Sequence, residues 1–272
     1  MASYNHIDVQ QLLRRVGLPD APLIVDVRFQ EDVDTDPTVI PGAQRIAHTD
    51  IALVAALSNQ QGIAVYCQKG RKLSQGAAAI LREMGMRAEV LDGGHLAWRD
   101  AKAPLIPISS LPPQEPGSRS CWVTRHRPKV DRIACPWLIR RFVDANARFL
   151  FVPPADVQAV AERFSATPFD TQESALSHKG EQCSFDAMLE HFDLRTPALS
   201  RLALIVRGAD TNRLDLAPEC SGFLAALLGL SRMHRDDTQQ LDAAMPILDA
   251  FYRWARDASE ESHDCPRPEL IK

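Results

Sequence analysis

The stretch "IAVYCQKGRKLSQGAAAILREMGMRAEVL" (63–91) decides the fold of the first half of the chain. It opens with a short apolar run, 63–67, and closes with another, 88–91. Runs of this length and composition are those of strands buried on both faces of a parallel sheet. Between them, Leu73, Ala77, Ile80, Leu81 and Met84 recur at helical spacing, and Gly85 is placed to end the helix. Strand, helix and strand in this order predict a right-handed crossover between parallel strands. A further apolar run, "PLIVDV" (22–27), adds a third strand. About 100 residues then suffice for a small doubly wound α/β domain.

The chain has 272 residues and a formal net charge of −4, with 45% hydrophobic and 24% charged residues. That is an ordinary globular composition. No apolar run approaches the ~20 residues of a membrane span, and the first residues, "MASYNHIDVQ", lack a secretory signal's basic start and apolar core. The expectation is a cytoplasmic protein with no membrane partner. The slight acidity offers no general attraction for nucleic acid. The basic residues are concentrated, however: residues 121–150 hold Arg125, Arg127, Lys129, Arg132, Arg140, Arg141 and Arg148 against Asp131 and Asp144, seven against two.

A proline-rich segment, "AKAPLIPISSLPPQEPGSRS" (101–120), divides the chain. Its five prolines predict a semi-rigid spacer or an embracing strap, not a packed element. The expected divisions are residues 1–103, a linker at 104–120, a second domain at 121–259 and a tail at 260–272. The second half reads as a mostly helical α+β domain. "IACPWLIRRFVD" predicts a helix with Pro136 near its first turn. "ADVQAVAERF" and "SFDAMLEHF" predict two more, the latter capped by Ser184 or Asp186. "PALSRLALIVRGAD" is expected to stop at Gly208. "GFLAALLGL" is apolar all round and is expected to be buried. Leu241 to Ala255 form an amphipathic stripe that Pro246 should kink. The short pieces "CWVTR" and "FLFVPP" are expected to pair in a small sheet.

Six cysteines, at 67, 121, 135, 183, 220 and 265, include no CxxC pair and form no disulfide pattern. Cys67 stands apart. It ends a parallel strand, where α/β folds gather ligands and chemistry. A helix starts within a few residues, so free amides and the positive helix end point towards it. Gly70 lets the backbone curl, and Lys69, Arg71 and Lys72 add positive charge. Such surroundings lower a thiol's pKa and make a nucleophile. Cys121, Cys135, Cys220 and Cys265 read as structural or incidental.

Four signatures in order, "IVDVR" (24–28), "IPGAQRI" (40–46), the Cys67 loop and "LDGGHLAW" (91–98), resemble those of a rhodanese-like sulfurtransferase domain over about residues 5–103. The resemblance implies that Cys67 attacks a sulfane sulfur, carries it as a persulfide, and passes it to a thiol or cyanide. Gln68, Lys69, Gly70, Arg71 and Lys72 would cradle the persulfide, and the cations would steer a thiosulfate-like donor. No cofactor is implied for this domain. Two positions depart from the family: Ser74 comes one place after Leu73 where a hydroxyl often follows the loop, and Val39 stands where a histidine usually precedes Ile-Pro-Gly. Asp26 and Arg28 read as scaffold residues.

In the second half, "RPKVDRIACPWLIRRF", "HKGEQCSFD" and "VRGADT" resemble the C-terminal domain of the chromate-resistance ChrB-type family, over about 121–256. That resemblance implies a role in tolerance or sensing of chromate. Arg127, Lys129, Arg132 and Arg140 are candidates for gripping an oxyanion, or else form a solvated basic face. His178, Glu181, Cys183 and Asp210 are candidate ligands for a transition metal, zinc or iron, since imidazole, thiolate and carboxylate all ligate metals; their spacing matches no standard zinc pattern. The leading expectation is a sulfurtransferase coupled to a domain that binds an oxyanion, a metal or a chromium–thiol adduct. The alternative is a chromate-responsive sensor without significant catalysis.

Overall fold

Alternation of side chains along the strands builds the first domain's two-sided core. The computed structural model describes residues 5–57, 62–112, 119–172 and 174–261. The first domain runs β1 (His6–Ile7), α1 (Val9–Leu13), β2 (Leu23–Asp26), α2 (Gln30–Thr35), β3 (Thr38–Val39), β4 (Ala43–Arg45), β5 (Ile63–Tyr66), α3 (Lys72–Glu83), β6 (Ala88–Leu91), α4 (Gly94–Asp100) and β7 (Ile106–Pro107). Five strands form a parallel sheet in the order β1-β6-β5-β2-β4. The three predicted strands are its centre. Ile63, Val65 and Cys67 face one side with Val25, Val90 and α3's Ala77, Ala78 and Leu81. Ala64, Tyr66, Ile24 and Leu91 face the other, against Leu12 and Trp98. Each fully buried aliphatic side chain contributes about 1.5–3 kcal/mol. This is the predicted α/β arrangement.

The buried face of α3 differs from the expected stripe. Ser74, Ala77, Ala78 and Leu81 are buried, whereas Ile80 and Met84 are 43% and 45% exposed. A small-residue face lets the helix lie close to the sheet, which leaves the larger pair outside.

The second domain runs β8 (Cys121–Arg125), α5 (Val130–Phe142), β9 (Arg148–Val152), α6 (Val157–Phe164), β10 (Thr167–Pro168), α7 (Ser184–His191), α8 (Pro197–Asp210), α9 (Cys220–Met233) and α10 (Asp237–Asp257). Strands β10, β8 and β9 form the small sheet, in that order and all parallel, and the rest is mostly helical as expected. Helix α5 starts earlier than predicted, so Pro136 is interior, where it removes the bond to the Arg132 carbonyl. The N-cap of α7 is Cys183, with Asp186 accepting its backbone N–H. Helix α8 passes through Gly208 to Asp210. Only one face of α9 is buried, through Cys220, Phe223, Leu227 and Ser231, and Leu228 is exposed. Pro246 does not interrupt the 21-residue α10.

The proline-rich segment is a packed strap over its first part. β7 pairs antiparallel with β3, Ile106 is fully buried, and the Trp98 indole donates to the Pro104 carbonyl at 2.8 Å. Residues 113–118 of the expected linker, and the expected tail from residue 262 with Cys265, lie outside the described residues. The halves also touch directly. The Gly42 N–H donates to the Phe142 carbonyl at 2.5 Å, and His191 Nε2 lies 2.9 Å from the Ser110 carbonyl oxygen. One hydrophobic core holds Leu12, Val16 and Trp98 together with Leu138, Phe142 and Tyr252.

Candidate functional site

Two clusters of chemistry-bearing residues stand out, one in each half. The first is the loop after β5. Cys67 is 6% exposed, on the α3 face of the sheet's central strand. Its Sγ receives the Arg71 backbone N–H at 3.3 Å and lies 3.3 Å from the Ser74 hydroxyl. Gly70 has φ +62°, and a Cβ there would be 2.8 Å from the Gly93 and Gly94 nitrogens. Gly94 is its counterpart: a Cβ at that position would collide with the Cys67 carbonyl oxygen and the Gly70 nitrogen. Only glycines let the start of α4 sit on this loop, where the His95 and Leu96 N–H groups donate to the Cys67 and Gln68 carbonyls at 3.0 and 3.1 Å. Thus "LDGGHLAW" braces the cysteine loop from below.

Burial pushes the Cys67 thiol up, but the Ser74 hydroxyl and the amides of Ser74, Arg71 and Lys69 outweigh it, and the pKa lies below the ordinary value. The source of the stabilisation agrees with the sequence-based expectation in its amides and differs in its hydroxyl and in having no cation among its leading causes. Amides and a hydroxyl supply it, while Lys69, Arg71 and Lys72 are exposed. The hydroxyl arrives by helical geometry. Ser74 is the third residue of α3, fully buried, with its oxygen 3.1 Å from the Arg71 carbonyl, so its one proton serves either that oxygen or, when the thiol ionises, the sulfur. Asp26 and Arg28 form a fully buried ion pair at 2.8 Å, with Arg28 also donating to the Thr38 carbonyl at 2.5 Å. This ties the end of β2 to the strand before Ile-Pro-Gly, a scaffold contact.

The second cluster forms where helix ends converge. His178 Nε2 lies 3.3 Å from Asp131 Oδ2, 3.2 Å from Asp210 Oδ2 and 3.6 Å from Asp170 Oδ1. Asp131 is in the first turn of α5, Asp210 is the last residue of α8, and Asp170 follows β10. Free amides at helix starts hold these carboxylates: the Ser184 N–H donates to Asp131 Oδ2 at 2.6 Å, and the Asp131 N–H to Asp210 Oδ1 at 3.3 Å. The Ser184 hydroxyl donates to Asp170 Oδ1 at 2.8 Å. Arg125 and Arg132 bind the other Asp170 oxygen at 2.8 and 3.2 Å. The bond to Asp131 raises the His178 pKa to about 9 against the opposing effect of burial. Burial, and then the Asp131 charge, raises the pKa of Asp210.

Of the four predicted metal ligands, the structure brings together His178 and Asp210. Cys183 is fully buried; its Sγ contacts Asp186 at 3.3 Å, and burial pushes its pKa far up. Glu181 is exposed and takes no part in this group. The four predicted oxyanion residues do not converge either. Arg127 reaches the Ser231 carbonyl at 3.1 Å, Lys129 is exposed at the N-cap of α5, Arg132 binds Asp170, and Arg140 pairs with Asp242 at 2.8 Å. Sequence reasoning missed both other aspartates: Asp131 entered only a count of charges, and Asp170 was not singled out. The available signal was an aspartate amid the buried residues of a helix's first turn, a costly position unless partnered. Asp170 and His178 also line a cleft of about 650 Å³ with Arg125, Gln158 and Thr171. Among the described residues, no helix is long and apolar enough to cross a membrane.

The family model described as the rhodanese-like domain matches residues 8–101, and that described as the ChrB C-terminal domain matches residues 122–255. Protein ChrB of Cupriavidus metallidurans is 31% identical over 195 residues, covering 67% of this chain and 59% of that protein. The chain thus spans about three fifths of that relative's length. Among solved structures, a protein from Bacillus halodurans is 24% identical, covering 39% of this chain and 78% of its own, with a TM-score of 0.34. A rhodanese-related protein from Thermoplasma volcanium is 20% identical, covering 38% and 98%, with a TM-score of 0.33. A rhodanese-like domain protein from Staphylococcus aureus is 28% identical, covering 35% and 90%, with a TM-score of 0.30.

Proposed function

We propose that this chain, which joins a rhodanese-like domain to a ChrB C-terminal domain, transfers sulfane sulfur through Cys67 in the service of chromate resistance. The observation that carries the reading is the Cys67 Sγ held between the Arg71 amide and the Ser74 hydroxyl, each at 3.3 Å. Those donors stabilise negative charge on sulfur, and a persulfide anion needs the same stabilisation.

The reaction balances without a cofactor. The Cys67 thiolate attacks the outer sulfur of a thiosulfate-like donor. A new S–S bond forms, the donor's S–S bond breaks, and sulfite leaves with the electron pair. The persulfide anion then meets a nucleophilic acceptor, cyanide or a thiolate. The acceptor bonds to the outer sulfur, and Cys67 departs as the thiolate it was. The exposed Lys69, Arg71 and Lys72 side chains guide anionic donors towards the loop. In chromate resistance, the acceptor thiols would be those that chromate oxidises.

The test is thiosulfate:cyanide sulfurtransferase turnover with Cys67→Ser, together with mass spectrometry after exposure to donor. The expected result is loss of turnover and of the added sulfur. Turnover unchanged in the variant defeats the reading. The second reading, a chromate-responsive regulator, is favoured by the core that the two halves share through Phe142, which gives a ligand in one half a mechanical route to the other.

A further inference from the structure

We propose that Asp131, Asp170 and His178 form a binding site for one divalent first-row transition-metal ion, of the manganese, iron or zinc class. The site is independent of the sulfur chemistry at Cys67.

Geometry is the first support. Donors bound to one ion at about 2.0–2.1 Å stand about 3.3 Å apart in tetrahedral geometry, and three protein donors leave a position for water. His178 Nε2 is 3.2, 3.3 and 3.6 Å from one oxygen of each of the three aspartates. A single imidazole N–H can donate fully to one of those oxygens, so the other two are surplus to any hydrogen-bond role for the ring. One ligand atom each of Asp131, Asp170 and His178 lie within 4.8 Å of one another, close enough for one ion to engage all three, while Asp210 pairs with His178 from outside that group.

Independent support comes from Asp131. Its side chain is 2% exposed, yet its Oδ1 has no hydrogen-bond partner. A buried carboxylate oxygen without a partner is costly, and the molecule spends two helix-start amides nearby on holding carboxylates in place. The outer contacts are those of a supporting shell. Ser184 fixes Asp131 through its N–H and Asp170 through its hydroxyl, and Arg125 and Arg132 fix the far oxygen of Asp170.

The donor set selects the ion. Two carboxylates and one imidazole suit manganese, iron and zinc, whereas a thiol-preferring ion gains nothing, because the Cys183 sulfur is turned to Asp186. The ion can enter, since His178 is 42% exposed at the edge of the cleft that Asp170 also lines.

The experiment uses the full chain, stripped with chelator and titrated with manganese(II), read by the loss of the free-ion electron paramagnetic resonance signal, with zinc(II) as competitor. One saturable ion per chain is expected, displaced by zinc. His178→Ala, at a half-exposed position that folding tolerates, should weaken binding by on the order of tenfold or more. Asp131→Asn should do the same, with circular dichroism to confirm folding. Glu181→Gln should bind as the parent does. Absence of saturable binding by both ions overturns the proposal. So does an unchanged affinity in folded His178→Ala, or loss of binding on changing Glu181. Cys67→Ser should leave the titration unaltered, which separates this outcome from failure of the sulfur-transfer reading.

Discussion

The Ser74 hydroxyl lies 3.3 Å from the Cys67 sulfur although seven residues of chain, a tight glycine loop and a helix start separate them. It is the largest of the contributions that lower the Cys67 pKa against the opposing effect of burial. The Ser74→Ala variant should therefore have a higher Cys67 pKa, by up to about one unit, since a hydrogen bond to a charged group is worth about 1.5 kcal/mol and one unit is about 1.4 kcal/mol. The sign is definite. The thiolate is the reactive form, so alkylation by iodoacetamide slows as pH falls through the Cys67 pKa. The variant's profile should move to higher pH with its plateau rate retained. A profile that stays in place would show that the amides alone set the thiol's acidity.

One glycine tests the bracing of that loop, and a second serves as contrast. Gly94 has φ +60°, and a Cβ there would meet backbone atoms of Cys67 and Gly70, which cannot retreat as a flexible side chain can. Gly94→Ala should lose sulfur transfer and destabilise the chain by about 1–3 kcal/mol or more, because backbone must shift or stay strained. Gly76 sits within α3, with open space around the place a Cβ would take. Gly76→Ala should stabilise by about 0.5–1 kcal/mol and leave activity alone. Thermal denaturation and turnover measured side by side check both. Equal effects of the two changes would mean that the loop is not held by close backbone approach.

Much of the first domain was legible because its signals are local. Apolar runs at 22–27, 63–67 and 88–91 became the sheet's centre, and a cysteine between a strand end and a helix start became a thiol among amides. Ser74 was harder to place. Counting from the loop puts it one residue late, whereas α3 places its side chain over Cys67. The second cluster was half legible. His178 and Asp210 carry ligand chemistry on their face, but Asp131 lies among basic and apolar residues and Asp170 in a polar stretch with no ligand pattern. They meet His178 only because α5, α7 and α8 converge. Glu181 and Cys183 were drawn in by proximity in sequence. The turn before α7 then sends one to solvent and the other to its own cap. The proline-rich strap misled for a related reason. Proline content reports lost donors, not whether a neighbouring strand will use the donors that remain, and Ile106 found Val39.

The shared core makes the last prediction. Phe142 is 2% exposed and ends α5; its ring packs edge-on to Tyr252 at 5.5 Å and lies 5.9 Å from Trp137. Its carbonyl accepts the Gly42 N–H from the first domain, and the same ring fills the space beside Gly17, where a Cβ would strike it. If the two domains were beads on a spacer, calorimetry would resolve two transitions, and a change in the second would leave the first in place. Because Phe142 belongs to both, the chain should unfold in a single transition. Phe142→Ala should lower the stability of the whole by about 3–5 kcal/mol through lost burial and a residual cavity. Fluorescence does not serve as the probe, since Trp137 and Trp98 report different halves. Scanning calorimetry of the variant and the parent does, and a variant that melts in two steps, the earlier one carrying only the second domain's enthalpy, would show that the halves fold apart.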